Sequence, residues 1–167
     1  MPVPEYRFSS RWSVEVPGRL VYDVLADLAA YPEWWPQVRN VEVLSEDHAR
    51  VTCRSFLPYT LRFEMFRIRS DRRAGVLEAR LLGDLDGWAR WTVGTVADSR
   101  HADLHYEQRV TTPGRLLTAL GRLGRPILEL NHAWMMRGAR IGLQRRLLGP
   151  AAPAIRARLP VGRGASD

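Results

Sequence analysis

The sequence predicts an α+β fold: a strongly curved antiparallel sheet of about seven strands wrapped around one long C-terminal helix, with two short helical pieces after the first strand. Three observations lead there. Seven short segments carry the two-residue alternation of strands. The last six of them follow one another at short, regular spacing with turn residues between, as an antiparallel meander does. After Pro113-Gly114 the apolar period becomes helical, and only that final helix is long enough to lie across all the strands. A chain of 167 residues with 46% apolar content is enough for one core rather than two.

In chain order, Phe8, Ser10, Trp12, Val14 and Val16 of "RFSSRWSVEV" (7–16) alternate with polar residues, a half-buried strand. Pro17 suits a first helical position, and Leu20, Val21, Val24, Leu25 and Leu28 recur at helical spacing, so a helix spans about 17–29. "AAYPEWWPQV" (29–38) breaks it. Proline disfavours helical geometry in the residue before it, which predicts Tyr31 and Trp35 outside the α region and a short stiff turn opened by Pro32. Two adjacent tryptophans, Trp34 and Trp35, do not fit comfortably in one core, and such a turn is a device for holding them in a fixed place. Strand-like segments follow at 38–45, 49–56, 59–70, 75–82, 87–96 and 101–110, separated by turn chemistry at Glu46-Asp47, Pro58, Asp71 to Gly75, Gly83 to Gly87 and Asp98-Ser99.

On a helical wheel at about 100° per residue, zeroed on Ile127, the inner stripe holds Leu116, Leu120, Leu123, Leu130, Asn131, Trp134, Gly138 and Ile141. Arg122, Arg125, Glu129, Met136 and Arg140 fall opposite. Pro126 starts the main helix after a lead-in at about 114–123. Residues 150–167, basic and rich in Pro, Gly and Ala, have no sustained period and read as a flexible tail beside a domain of residues 1–149.

The formal charge is +7, yet all 25 basic residues are arginine and they are spread along the chain. That pattern reads as GC-rich codon usage on a solvated surface, and no nucleic-acid partner is expected. Cys53 is the single cysteine, so no internal disulfide or cysteine metal site is expected and a reducing, cytoplasmic setting fits. No apolar run is long enough for a membrane span, and "MPVPEYRF" is broken by prolines, so a soluble, unprocessed protein is expected.

The run "VYDVLADLAAYPEWWPQV" resembles the helix and lid region of the START-like, helix-grip superfamily, the SRPBCC or "polyketide cyclase/dehydrase" proteins. "NHAWMMRGARIGLQRRL" is similar to that family's last helix, and the resemblance covers about residues 5–148. It implies an apolar cavity between sheet and helix. It also implies that Trp34 and Trp35 flank the cavity mouth, one ring inward as wall and the other outward as rim. Members include lipid carriers, hormone-binding proteins and aromatase/cyclases, so the family implies a fold more sharply than an activity.

The residues set further bounds. His101 and His105 are four apart, but on a strand, at about 3.3 Å per residue, their backbones lie roughly 13 Å apart on the outward face, so no metal site is expected. His132 falls about 140° from Ile127 and reads as an edge histidine packing on the lead-in. Asn131 is an inward polar group that bonds either a ligand or a sheet-side group such as Tyr106 or Gln108. Glu78 has Arg80 on its own strand face, a surface ion pair, while Arg80 or Arg90 turned inward would meet an anionic or enolate group. No nucleophile elbow, phosphate loop or dinucleotide fingerprint occurs, so no cofactor is expected.

The inward set is Trp12, Cys53, Ser55, Tyr59, Leu61, Phe63, Trp91, Val93, Tyr106, Gln108, Asn131, Trp134 and Met135. The candidate ligand-binding residues are Trp12, Trp34, Trp35, Tyr59, Phe63, Trp91, Tyr106, Gln108, Asn131, Trp134 and Met135, as a pocket for a flat or elongated apolar molecule requires. The leading reading is binding or transport of a lipid, isoprenoid or polyketide-like molecule. An aromatase/cyclase is the alternative, with Tyr59, Tyr106, Asn131 and Arg90 as proton-handling or orienting groups, and an inward arginine or acid at the cavity floor would favour it. A partner-binding module, ribosome- or membrane-associated, is the third, resting on the basic "RIRSDRR" hairpin at 67–73.

Overall fold

The computed structural model describes residues 5–56, 59–94, 100–112 and 124–150. Strand β1 (Glu5–Val14) leads to helix α1 (Gly18–Ala26), a 3-10 turn (Leu28–Ala30) and the short helix α2 (Tyr31–Trp34). Strands β2 (Val38–Ser45), β3 (His48–Arg54), β4 (Thr60–Asp71), β5 (Val76–Gly83), β6 (Asp86–Val93) and β7 (Ala102–Thr111) come next, and helix α3 (Gly124–Leu148) is last. The strands form one sheet in the order β1-β7-β6-β5-β4-β3-β2, antiparallel throughout. This is the expected α+β helix-grip architecture. The turns expected at Pro58 and Asp98-Ser99, the lead-in at 114–123 and the tail beyond residue 150 lie outside the described residues.

Alternation carries through the sheet. In β7, Ala102, Leu104, Tyr106, Gln108 and Val110 are all buried, and their intervening neighbours face away. Arg80 and Arg90 are on that outer face: Arg90 donates to Glu78 at 2.9 Å with its guanidinium 5.2 Å above the Trp88 ring, and Arg80 donates to Asp86 at 2.5 Å. The expected Glu78–Arg80 pair is therefore replaced, because the register sets Glu78 directly opposite Arg90 on the next strand.

Helix α3 is rotated relative to the sequence expectation. Its buried residues are Gly124, Leu128, Asn131, Met136, Ala139, Gly142, Leu143 and Leu147, whereas Leu130 is 62% exposed and Trp134 37% exposed. Met136 is buried, not outward. The reason lies in what the helix packs on: its inner stripe alternates large apolar residues with small and polar ones, Gly124, Asn131, Ala139 and Gly142, while other large apolar residues such as Leu130 and Ile141 sit on the flank. A β-carbon on Gly142 would overlap the carbonyl oxygen of Trp34, and one on Gly138 would overlap the Gln37 side chain. Close approach to α2 is what these glycines allow.

The α2 turn also departs from expectation. Trp35 is extended (φ −104°, ψ 98°), as proline after it requires, but Tyr31 stays helical (φ −54°, ψ −41°). The pre-proline bias is outweighed by tertiary contacts: the Tyr31 hydroxyl donates to the Leu25 carbonyl at 2.7 Å, and its ring packs edge-on to Trp34 at 4.9 Å. Trp34 and Trp35 are 4% and 7% exposed, stacked at 5.7 Å, so neither is an outward rim. Both fit one core because Trp34 lies behind Trp35, against the glycine face of α3.

Candidate functional site

Between sheet and α3 is a cavity of about 330 Å³. The strand registers explain its shape. Arg67 of β4 pairs with Ala79, Ala79 with Ala89, Ala89 with Gln108 and Gln108 with Phe8, so these five residues form one row across five strands. All five line the cavity. At about 4.8 Å per strand step, the row is roughly 19 Å long when followed along the sheet. The two alanines make its middle a trench between rows of mainly large residues: Leu77, Trp91 and Tyr106 on one bank, Met65, Leu81, Val110 and Tyr6 on the other, where Gly87 leaves a gap between Leu81 and Val110. Leu128, Asn131, His132, Met135 and Met136 of α3 roof it, together with Trp35.

At one end the lining includes exposed Asp27, Ala29, Glu46 and Asp47, so here the cavity reaches solvent. Arg67 stands at this mouth. Its guanidinium reaches the Ala26 carbonyl at 3.4 Å and the Asp47 carboxylate at 3.9 Å, and its backbone N–H donates to the Asp47 carbonyl at 2.8 Å. Arg67 is thus tied to both the end of α1 and the β2–β3 turn. It is the inward arginine that Arg80 and Arg90 are not, in phase with Leu61, Phe63 and Met65 on β4.

The remaining polar groups are spaced along the walls. The Tyr106 hydroxyl donates to Gln108 Oε1 at 2.9 Å. Asn131 Oδ1 accepts from the Ser55 hydroxyl at 2.8 Å and the Phe56 N–H at 3.2 Å, so its sheet-side partner is Ser55, not Tyr106 or Gln108. The Tyr59 hydroxyl lies beside Ser55. Burial, chiefly, pushes the hydroxyls of Tyr31 and Tyr106 above the ordinary phenol range, and it pushes the Cys53 thiol up to about 12. These phenols stay neutral donors, and the thiol is no nucleophile.

His132 is not an edge histidine. Its ring is stacked 4.3 Å from Phe8 and 5.8 Å from Tyr106, and desolvation lowers its pKa to about 4. A wheel centred on Ile127 places it on the flank, because the large apolar residues of α3 do not mark the face that the structure buries. Its neighbour Asn131, already singled out as an inward polar group, was the available signal.

Of the sequence-derived candidates, the structure brings Trp35, Tyr59, Phe63, Trp91, Tyr106, Gln108, Asn131 and Met135 to the cavity wall. Trp35 is held by its indole N–H donating to the Met135 carbonyl at 3.0 Å. Trp12 and Trp34 stand in the second layer, stacked on Trp91 at 5.9 Å and on Trp35 at 5.7 Å. Trp134 is on the outer flank of α3, edge-on to Phe56 at 6.2 Å. Among the described residues, no cluster of His, Cys, Asp and Glu has the geometry to hold a metal, and no helix is long and apolar enough to cross a membrane.

Residues 14–137 match the family described as polyketide cyclase / dehydrase and lipid transport. Among solved structures, the Zhui aromatase/cyclase from Streptomyces sp. R1128 superposes with a TM-score of 0.73 at 19% identity, over 89% of this chain and 98% of that one. A START superfamily protein from Mycobacterium smegmatis gives 0.69 at 12% identity, over 85% and 97% of the two chains. Truncated norcoclaurine synthase from Thalictrum flavum gives 0.64 at 9% identity, over 89% and 96%. Likeness at these identities establishes the shared fold alone. No curated protein matches the chain at a significant level.

Proposed function

The chain belongs to the polyketide cyclase/dehydrase and lipid transport family, and on that premise we propose that it binds an elongated or flat hydrophobic small molecule, a lipid, isoprenoid or polyketide-like compound, in the cavity under α3. The trench carries this reading. Alanines at 79 and 89 leave depth between aromatic and aliphatic banks, where larger side chains would give a filled core. A ligand lying along it keeps its apolar body on those banks and its acidic or enolic oxygen at Arg67, at the mouth. A buried free Cys53 fits a cytoplasmic setting. The test is native mass spectrometry of the protein from its own host, before and after denaturation. A stoichiometric apolar adduct that Ala89→Leu abolishes is expected; an unliganded protein that also ignores apolar probes would sink the proposal.

Arg67 favours a second reading, cyclisation of a bound poly-keto chain. In an intramolecular aldol step an α-carbon loses its proton and attacks a ketone carbon, and the ketone oxygen takes a proton. Loss of water then aromatises the ring without any redox change. A guanidinium fixed at the cavity wall stabilises the enolate oxygen, and neutral phenols such as Tyr106 supply and orient protons. Arg67→Gln is expected to lower turnover of a poly-keto substrate at least tenfold while binding of the same chain changes little; loss of binding and turnover together would leave Arg67 an anchor only. The partner-binding reading has less support, because Arg67 lines the cavity, Arg69 pairs with Asp71 at 2.9 Å, and Arg72 clamps Asp23 at 2.8 and 2.9 Å.

A further inference from the structure

The trench has a polar group at each end. Arg67 marks the mouth, and the opposite end of the same row, Phe8, lies under the His132 ring. His132 Nε2 is buried and has no hydrogen-bond partner among the described residues. A buried polar atom left unmatched costs stability, so such an atom on a cavity wall points to a partner that is not part of the fold. Stacking between Phe8 and Tyr106 fixes the ring plane, and so fixes where Nε2 can accept or donate. The groups that face it are uncharged: Phe8 from β1, and Tyr106 and Gln108 from β7, the last two bonded to each other. Nothing here suits a second ionic group.

We propose that His132 binds a neutral hydroxyl or carbonyl oxygen at the inner end of the ligand, so that the natural ligand is bifunctional: acidic or enolic at the Arg67 end, apolar along the alanine trench, and hydroxylated or ketonic at the far end. This deepens the cavity reading and rests on it. A simple alkyl lipid would leave His132 Nε2 unmatched, whereas an oxygenated chain end satisfies it. Because the ring is neutral above its lowered pKa, either tautomer meets a hydroxyl, which both donates and accepts.

The experiment compares dodecanoic acid with 12-hydroxydodecanoic acid, titrated into the wild type, His132→Leu and His132→Gln, with thermal melts to check folding. The wild type is expected to bind the hydroxy acid at least as tightly as the plain one. In His132→Leu the hydroxy acid is expected to weaken about tenfold while the plain acid holds, since its hydroxyl would then be buried unpaired. His132→Gln, which keeps a donor and an acceptor, should restore much of the difference. Ring 15N spectra of the wild type provide a readout that does not depend on any variant folding: Nε2 should shift with the hydroxy acid and not with the plain one. Equal treatment of the two acids by wild type and variants, or an unmoved Nε2 resonance, overturns the assignment of His132 and leaves the cavity reading standing. Failure of both acids to bind the wild type overturns the cavity reading, and this inference with it.

Discussion

The two walls of the cavity are built on opposite principles. The sheet wall is mainly apolar and periodic, and its depth comes from two alanines set between rows of mainly large residues. The helix wall mixes apolar Leu128, Met135 and Met136 with polar Asn131 and His132, and below it Ala139 and Gly142 pack inward while Leu130 and Ile141 face out. The difference follows from what each wall touches. The sheet must cover a continuous surface, so apolar area decides its facing. Helix α3 must approach the backbone of α2 and offer polar groups to the cavity, so at these positions steric fit and hydrogen bonding decide.

That contrast can be broken or sharpened experimentally. The largest effect is expected from His132 in acid. Its pKa is about 4 folded against an ordinary 6.5, so the unfolded chain binds the extra proton first. Stability should fall as pH drops from about 6.5 towards 4 and level off below. The loss is about 3 kcal/mol, and it should be missing from His132→Gln in urea melts at pH 7 and pH 4. Equal pH dependence in the two proteins would mean the ring is solvated.

Gly142→Ala comes next and has a diagnostic sign. Alanine in a helix normally gains about 1 kcal/mol over glycine, but here the new methyl meets the Trp34 carbonyl. A net loss of about 2 kcal/mol is expected from chemical denaturation. A more stable variant would show that α2 and α3 do not meet this closely.

Ala89→Leu probes the sheet wall. It should weaken binding of an apolar fluorescent probe at least tenfold, about 1.4 kcal/mol, while changing stability by less than that, because the added atoms enter empty space. If stability collapses instead, the trench is a packed core. Leu130→Ala should do least, under about 1 kcal/mol, since Leu130 is exposed. A cost in the range of about 2–5 kcal/mol, usual for a buried leucine, would restore the original helix facing.

Much of the sheet wall is legible in the sequence because a strand offers only two phases. Trp91, Tyr106 and Gln108 follow from alternation, and the same phase through Leu61, Phe63 and Met65 leads to Arg67. In the sequence Arg67 reads instead as part of a basic hairpin, since a charged residue is ordinarily solvated. A helix can be rotated continuously, and apolar content points to the flank of α3. Apolar content thus turns Trp134 in and His132 out, whereas in the structure Trp134 is exposed and His132 stacks on Phe8.

By itself, the sequence determined the order of elements, the turns at Glu46-Asp47, Asp71 to Gly75 and Gly83 to Gly87, and the apolar phase of most strands. These depend on neighbours in the chain, on backbone sterics and on a period of two. Only the tertiary structure decided that Trp34 stacks behind Trp35, that Arg67 and His132 stand at opposite ends of one row, and that Gly142 meets the Trp34 carbonyl. Each joins residues far apart in sequence through strand register or close backbone approach, and no local period encodes which distant partner a side chain will meet.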